Sequence, residues 1–318
     1  MAHRIYIDGH AGTTGLRIRD WLAGREDLAL LTLPEEARKD PAARREQVQD
    51  CDLAVLCLPD DAAREASGWA GDSGTRILDT STAHRVADDW VYGLPELAPG
   101  QRDAIRQAQR VSNPGCYASA FILTLRPLVD AGLLDPAATL TCHALSGYSG
   151  GGRSMIERWE APEAGLGEIG YPAPYALDRT HKHIPEMMHY GALDAEPQFM
   201  PSVGPFRCGM RVEIPLHAGL LNAGVTGKQV WEVLEARYRG EPFVALHPVA
   251  DPLPTGETHF DPMACNDTNR IDLHVLPHAS GHVLLVAILD NLGKGASGVA
   301  IQSLNLMLGC EETSGLRG

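Results

Sequence analysis

Between residues 4 and 80 the chain carries four short apolar runs, RIYID (4–8), LALLTL (28–33), LAVLCL (53–58) and TRILDT (75–80). Each has the length of a strand rather than of a helical stripe, and the later ones are continuous rather than alternating. Such runs suit strands covered on both faces, the arrangement of a parallel, doubly wound sheet. Between the first two, TGLRIRDWLAG (14–24) sets Leu16, Ile18, Trp21 and Leu22 at helical spacing. DAIRQAQRVSNP adds a helix and one more short strand.

The turn from the first strand into the first helix reads DGHAGTTG, with Gly9, Gly12 and Gly15 spaced GxxGxxG around Thr13 and Thr14. Glycines there permit a tight turn and let backbone approach a phosphate, while the helix N-terminus offers N–H donors and a positive dipole end. The spacing differs from GxGxxG, so a plain glycine-rich turn stays open beside a dinucleotide site. Glu35 lies twenty residues past Gly15, where an acid holds the ribose 2′-hydroxyl of NAD. Arg38 and Lys39 follow where cations would meet the 2′-phosphate of NADP. Spacing does not decide between the two cofactors.

After residue 116 the texture changes. A long helix, ASAFILTLRPLVDAGLL, precedes a strand, ATLTCHALSGYS, then a Gly-rich stretch, SGYSGGGRS, and a Pro-rich one, GYPAPYALD. CGMRVEIPL (208–216), IDLHVLP (271–277) and HVLLVAILD (282–290) read as strands, with one helix, GKQVWEVLEARYR, among them. This predicts an α+β second domain with a mostly antiparallel sheet. The final helix, 296–308, has no sheet partner after it. At 318 residues, two domains are the prior.

A net charge of −14 argues against a nucleic-acid or anionic-membrane surface. No apolar run approaches the roughly 20 residues a membrane span needs. The N-terminus MAHRIYIDG enters a strand pattern at once, so no signal peptide is expected and the expected location is cytoplasmic. Seven widely spaced cysteines without a CxxC pair predict neither a disulfide framework nor a metal site, and buried free thiols for most of them.

One cysteine stands apart. In SNPGCYAS (112–119), Pro114 and Gly115 form a turn before a helix whose first turn holds Cys116. Helix dipole and nearby N–H groups favour a thiolate there, and a core thiol has no need of such a turn. A thiolate acyl-transfer site also wants a proton donor and acceptor. RTHKHIPEMMHYG supplies His181, His183 and His189 with Glu186 close by.

These pieces together resemble the N-acetyl-γ-glutamyl-phosphate reductases, in particular their shorter subclass. The resemblance runs along nearly the whole chain through GHAGTTG, LDTSTAHR (78–85), YGLPEL (92–97), NPGCY (113–117), SGYSGGGR (146–153), HKHIPE (181–186) and DNLGKGASGVAIQ (290–302). NPGCY combined with HKHIPE is its most specific part. LDTSTAHR departs from the Asp-Leu-Ser-Ala-Asp-Phe-Arg type of the longer subclass, and the second βα unit is abbreviated.

The resemblance implies a Rossmann-type domain (1–115 and 293–318) and a glyceraldehyde-phosphate-dehydrogenase-like α+β catalytic domain (116–292), with the last helix returning to the first domain. It implies NADPH-dependent reduction of N-acetyl-γ-glutamyl phosphate through a thioester on Cys116, a step of arginine biosynthesis, with His181 as general acid/base. Asn113, His183, Glu186, Arg85 and Arg153 are implied on the substrate side, with Asn113 and the Cys116 N–H as oxyanion donors. Gly9, Gly12, Thr13, Thr14, Gly15, Arg38, Lys39, Ser149, Gly150 and Asn291 are implied around NADP. The family is usually a dimer or tetramer, its partners being small molecules. Alternatives are an aspartate-semialdehyde dehydrogenase, or a reductase of the aminoadipate homologue, since one methylene is worth only ~1–3 kcal/mol in a pocket. A cofactor-free thiol acyltransferase and a non-catalytic nucleotide sensor are the rivals from other classes; NADPH binding and turnover separate them.

Overall fold

The computed structural model describes residues 2–161, 169–250 and 260–318. Its backbone divides into two compact units, Met1–Pro114 with Ala296–Leu316, and Gly115–Gly295 with Arg317–Gly318.

In the first unit, β1 (His3–Asp8), β2 (Leu28–Leu31), β3 (Leu53–Leu56), β4 (Arg76–Asp79), β5 (Val91–Tyr92) and β6 (Arg110–Ser112) form one sheet of order β2-β1-β3-β4-β6-β5. Every pairing is parallel. The helices are α1 (Thr13–Leu22), α2 (Pro41–Gln49), α3 (Asp60–Ser67), α4 (Gln101–Gln107) and, from the far end of the chain, the segment Gly298–Leu308. The period-2 geometry of a strand sorts the apolar runs onto two faces. Ile5, Ile7, Leu53, Val55 and Leu78 pack with Ile18, Ile301 and Leu304 on one side. Tyr6, Ala54, Leu56 and Ile77 pack with Val48, Trp69 and Trp90 on the other. Both faces are dry, which is why these runs show no polar alternation.

The segment Gly298–Leu308 packs against α1 and α4. It is buried on nearly every side, so its polar residues need partners. Gln302 Nε2 donates to Glu96 Oε1 (2.7 Å) and Glu312 Oε1 (2.8 Å). Ser303 Oγ donates to the Gly93 carbonyl, and Asn305 Nδ2 donates to the carbonyls of Glu312 and Ser314.

The second unit holds α5 (Cys116–Asp130), β7 (Thr141–Gly147), α6 (Gly152–Glu160), β8 (Ala173–Pro174), α7 (Ile184–Gly191), β9 (Gln198–Gly204), β10 (Met210–Leu216), α8 (Gly227–Tyr238), β11 (Val244–Leu246), β12 (Ile271–Pro277) and β13 (Val283–Leu289); the Gly298–Leu308 helix completes the series as α9. Its sheet runs β11-β12-β13-β10-β7-β9-β8. The pairs β12–β13, β13–β10, β10–β7 and β8–β9 are antiparallel. The pairs β7–β9 and β11–β12 are parallel, so the sheet is mostly antiparallel, as the sequence predicts.

Helix α5 packs against α7, α8, β10 and β13 and is almost wholly buried. Pro127 lies inside it, and a proline has no N–H to offer the carbonyl four residues back. That carbonyl, on Leu123, instead accepts a hydrogen bond from Tyr238 Oη of α8 at 2.5 Å. At its start, α8 is fixed by a reciprocal capping box between Thr226 and Gln229. Tyr238→Phe is therefore expected to destabilise the protein by about 1–3 kcal/mol, the cost of an orphaned buried carbonyl. Urea unfolding should show a lower midpoint at unchanged slope.

Candidate active site

At the C-terminal end of β1 the glycine turn is forced by sterics. Gly9 sits at φ +84°, and a Cβ there would fall 2.2 Å from the Cys57 carbonyl oxygen. A Cβ on Gly15 would lie 2.6 Å from the Gly9 oxygen, so the first turn of α1 is pressed directly onto the loop. Gly12 is the N-cap and brings no side-chain cap to that helix. The helix start is thus a cradle of backbone with N–H donors aimed outward, which fits a pyrophosphate. Thr13 and Thr14 open α1 within it. Past β2, Arg38 and Glu35 form an ion pair at 2.6 Å, while Lys39 is exposed. The two residues that pointed to different cofactors therefore answer each other.

In the second unit, Cys116 is the first residue of α5, and Gly115 is its N-cap without a side-chain cap of its own. The missing cap comes from α7: Glu186 Oε2 accepts the Gly115 N–H at 3.0 Å. Glu186 is only 1% exposed. Its other oxygen lies 4.0 Å from His183 Nε2. On another side, Gly295 closes against Cys116, and a Cβ there would stand 2.6 Å from Cys116 Cβ.

His181 packs edge-on to His183, with ring centroids 4.7 Å apart. Its Nδ1 accepts the His183 N–H at 3.2 Å, which leaves the proton of the neutral ring on Nε2. Nε2 faces Tyr175 Oη at 3.4 Å, and Tyr175 Oη donates to Tyr117 Oη at 3.1 Å. Burial raises both phenols above their ordinary range, so they remain neutral hydrogen-bonding groups at working pH. Cys116 lies within electrostatic reach of the two rings. Ala176 and Arg179, in the loop between Tyr175 and His181, hold left-handed φ values of 51° and 65°. Such strain in residues with a Cβ is characteristic of loops held in place for a function.

The structure thus brings together Cys116, His181, His183 and Glu186, and adds Tyr117 and Tyr175. Tyr175 lies in a Pro-rich stretch without periodicity and carries no sequence signal of its own, whereas Tyr117 closes the NPGCY motif without a role being read from it. Ser149, Gly150 and Asn291 also cluster. Asn291 Nδ2 donates to Ser149 Oγ (3.0 Å) and its Oδ1 accepts the Gly209 N–H (2.8 Å), so its side chain holds the loop's shape. A Cβ on Gly150 would lie 3.5 Å from Asn291 Nδ2.

Three expected anion-binding groups stand differently. Asn113 Nδ2 donates to the Ala296 carbonyl (3.1 Å), and its buried Oδ1 has no partner, so the side chain offers an acceptor rather than an oxyanion donor. Arg85 is buried in the first unit, donating from Nε to the Ser81 carbonyl and from Nη2 to that of Thr80. Arg153 stands on α6, largely exposed and paired with Glu157 at 2.7 Å.

All seven cysteines are free. Three are buried, Cys51, Cys142 and Cys265, and the others are half-buried. Burial pushes the thiols of Cys51 and Cys265 up to about 11, that of Cys57 up to about 12, and that of Cys142 higher still. These thiols are inert at neutral pH. Among the described residues no group of three His, Cys, Asp or Glu is placed to hold a metal ion.

A nucleotide cradle in one unit and a helix-capped cysteine beside paired histidines in the other define the semialdehyde dehydrogenase class. The family model "Semialdehyde dehydrogenase, NAD binding domain" matches residues 9–108, and "Semialdehyde dehydrogenase, dimerisation domain" matches 116–291. Among solved structures, aspartate semialdehyde dehydrogenase II from Vibrio cholerae superposes with a TM-score of 0.72 at 18% identity, covering 97% of this chain and 99% of the other. The Candida albicans enzyme, crystallised with NADP, gives a TM-score of 0.66 at 14% identity, with 97% and 99% covered. At these identities the likeness is one of fold. Sequence relatives are more specific. N-acetyl-gamma-glutamyl-phosphate reductase from Burkholderia lata is 46% identical over 312 residues, 98% of each chain. N-acetyl-gamma-glutamyl-phosphate reductase 2 from Pseudomonas putida is 47% identical over 313 residues, again 98% of each. The chain belongs to the N-acetyl-γ-glutamyl-phosphate reductase family.

Gly295→Ala is expected to leave the fold intact and reduce kcat by about tenfold or more, because shifting a reacting atom by ~1 Å can cost ~10²-fold. Thermal unfolding alongside steady-state turnover checks it.

Proposed function

We propose that the protein reduces N-acetyl-γ-glutamyl phosphate to N-acetylglutamate semialdehyde and phosphate, a step of arginine biosynthesis, with NADPH as reductant. The observation that carries this reading is the half-buried Cys116 at the start of α5 beside the His181–Tyr175–Tyr117 chain, in a sequence 46% identical to named reductases along its length. Cys116 Sγ attacks the acyl carbon; the C–S bond forms as the C–O bond to phosphate breaks, leaving a thioester. When bound, the reduced nicotinamide supplies the hydride. His181 Nε2–H gives its proton to the oxygen that becomes negative, and takes it back as the C–S bond breaks and the aldehyde leaves. Tyr175, a neutral phenol, keeps that ring in register. The N–H groups of the first turn of α5, that of Cys116 among them, stabilise the oxyanion.

The backbone of Gly9, Gly12, Thr13, Thr14 and Gly15 would hold the cofactor's pyrophosphate, and Arg38 with Lys39 its 2′-phosphate, Arg38 exchanging Glu35 for the phosphate. The Ser149–Gly150 loop, braced by Asn291, would line the nicotinamide end. The second unit's likeness to a dimerisation domain supports a homo-oligomer, a dimer or tetramer.

The deciding assay is phosphate-dependent reduction of NADP by N-acetylglutamate semialdehyde, with aspartate semialdehyde as the control; turnover of the control alone would refute the substrate. Cys116→Ser should fold, bind NADPH and lose more than nine-tenths of its rate, because serine is not ionised at neutral pH. His181→Asn should lower kcat by ~10²–10⁴ with little change in KM, the usual worth of a general acid/base. Arg38→Glu with Lys39→Glu should weaken NADPH far more than NADH in a fluorescence titration; equal losses would move the 2′-phosphate contact elsewhere.

A further inference from the structure

We propose that Asn113 is a specificity-determining residue for the cofactor, its side-chain Oδ1 accepting the carboxamide N–H of the nicotinamide ring. The inference rests on the reading that a nicotinamide dinucleotide is the reductant.

Asn113 follows directly on β6, at the C-terminal edge of the parallel sheet. Its backbone N–H extends the β4–β6 ladder by donating to the Asp79 carbonyl at 2.7 Å. In an open sheet of this kind, ligands lie outside the carboxyl ends of the strands, at the point where the strand order reverses. Here β2 lies on one side of β1, and β3, β4 and β6 follow on the other. The glycine turn after β1 takes the pyrophosphate, and the adenosine, with the 2′-phosphate given to Arg38 and Lys39, takes the β2 side. The nicotinamide is then directed over the ends of β3, β4 and β6, the side on which Asn113 stands.

Asn113 is only 1% exposed, and its neighbours decide which way round the amide lies. Nδ2 stands 3.1 Å from the Ala296 carbonyl oxygen and 3.4 Å from that of Pro114. Turning the group over would set Oδ1 against two acceptors, so the nitrogen belongs there. Oδ1 is then left on the other side, buried and without a hydrogen-bond partner. Buried polar atoms are nearly always paired, and an orphan costs stability. An acceptor kept at that cost, at a strand end where ligands lie, calls for a donor that arrives with the ligand. The nicotinamide carboxamide offers planar N–H donors that suit an amide oxygen; the ribose hydroxyls are the competing donors, and the test separates them. The other side-chain amide assigned to this end of the cofactor is already engaged. Asn291 donates from Nδ2 to Ser149 Oγ and accepts the Gly209 N–H on Oδ1.

The test is titration calorimetry on the full-length protein with NADP and with its 3-acetylpyridine analogue, in which a methyl group replaces the carboxamide NH2. Wild type should bind NADP about tenfold more tightly, because the analogue leaves Oδ1 without a donor. Asn113→Ala removes the acceptor, so its two affinities should fall within about twofold of each other. A merely structural role would weaken both ligands alike and leave the wild-type ratio standing. Asn113→Asp keeps an acceptor in place and should keep the preference for NADP, even where its affinity for both ligands drops. Should Asn113→Ala fail to fold, Asn113→Ser, whose side chain ends short of the amide oxygen, takes its place with the same expected loss of preference. Equal affinities in wild type, or an unchanged ratio in Asn113→Ala or Asn113→Ser, overturn the proposal and leave Oδ1 to a ribose hydroxyl or a water molecule. Binding of neither ligand by wild type refutes the cofactor reading itself, and this inference with it.

Discussion

The first turn of α5 is the point from which the catalytic unit is organised. A nearly all-buried helix cannot leave its N-terminal donors to water, so something in the protein must answer them. Glu186 does so from α7, and that bond fixes where α7 begins relative to the cysteine. Because His183 is the residue from which α7 departs, and His181 accepts the His183 N–H, the histidines inherit their positions from the same bond. Gly295 closes the remaining side at a separation that admits no side chain. A structural requirement of one helix end thereby places a thiol, two imidazoles and a carboxylate together.

The opposite solution is used at α1. There the N-terminus receives no side-chain cap, and the loop before it is compressed by Gly9 and Gly15 until only backbone is left near the donors. An uncapped helix end of this kind is a standing demand for an anion. The chain thus answers one helix end with its own carboxylate and leaves another without a side-chain cap.

What was legible in the sequence follows from how local each feature is. Five strands of the first sheet were readable because both faces are dry, so burial is written as continuous apolar runs, whereas the two-residue edge strand β5 (Val91–Tyr92) is too short to leave such a run. The glycine turn was readable because sterics at Gly9 and Gly15 exclude every other residue. Cys116 with HKHIPE was readable as a combination, each half being ambiguous alone. Strand β9, QFMPSVG, was not: Pro201 interrupts it, and its parallel pairing with β7 is a long-range fact. Arg85 looked like an anion receptor because charge in a motif says nothing about geometry. Its Nε and Nη2 donate to the carbonyls of its own loop. Tyr175 acquires meaning only from a backbone held at unusual φ just after it, which no composition records.

The cysteines show how far environment outweighs residue type. Four of them, Cys51, Cys57, Cys142 and Cys265, have thiols raised chiefly by desolvation, and proximity to a carboxylate such as Asp79 or Glu213 raises some further. In those settings desolvation outweighs the polar contacts, such as the bond from Cys51 Sγ to the Val48 carbonyl, and the thiol stays protonated. Cys116 also lies near a carboxylate, that of Glu186, which accepts the N–H of the residue before it. The difference is that this carboxylate also faces an imidazole, His183 Nε2 lying 4.0 Å from its second oxygen. The setting at this position is thus made by the cysteine, histidine and glutamate together, and neither the helix end nor the thiol supplies it alone.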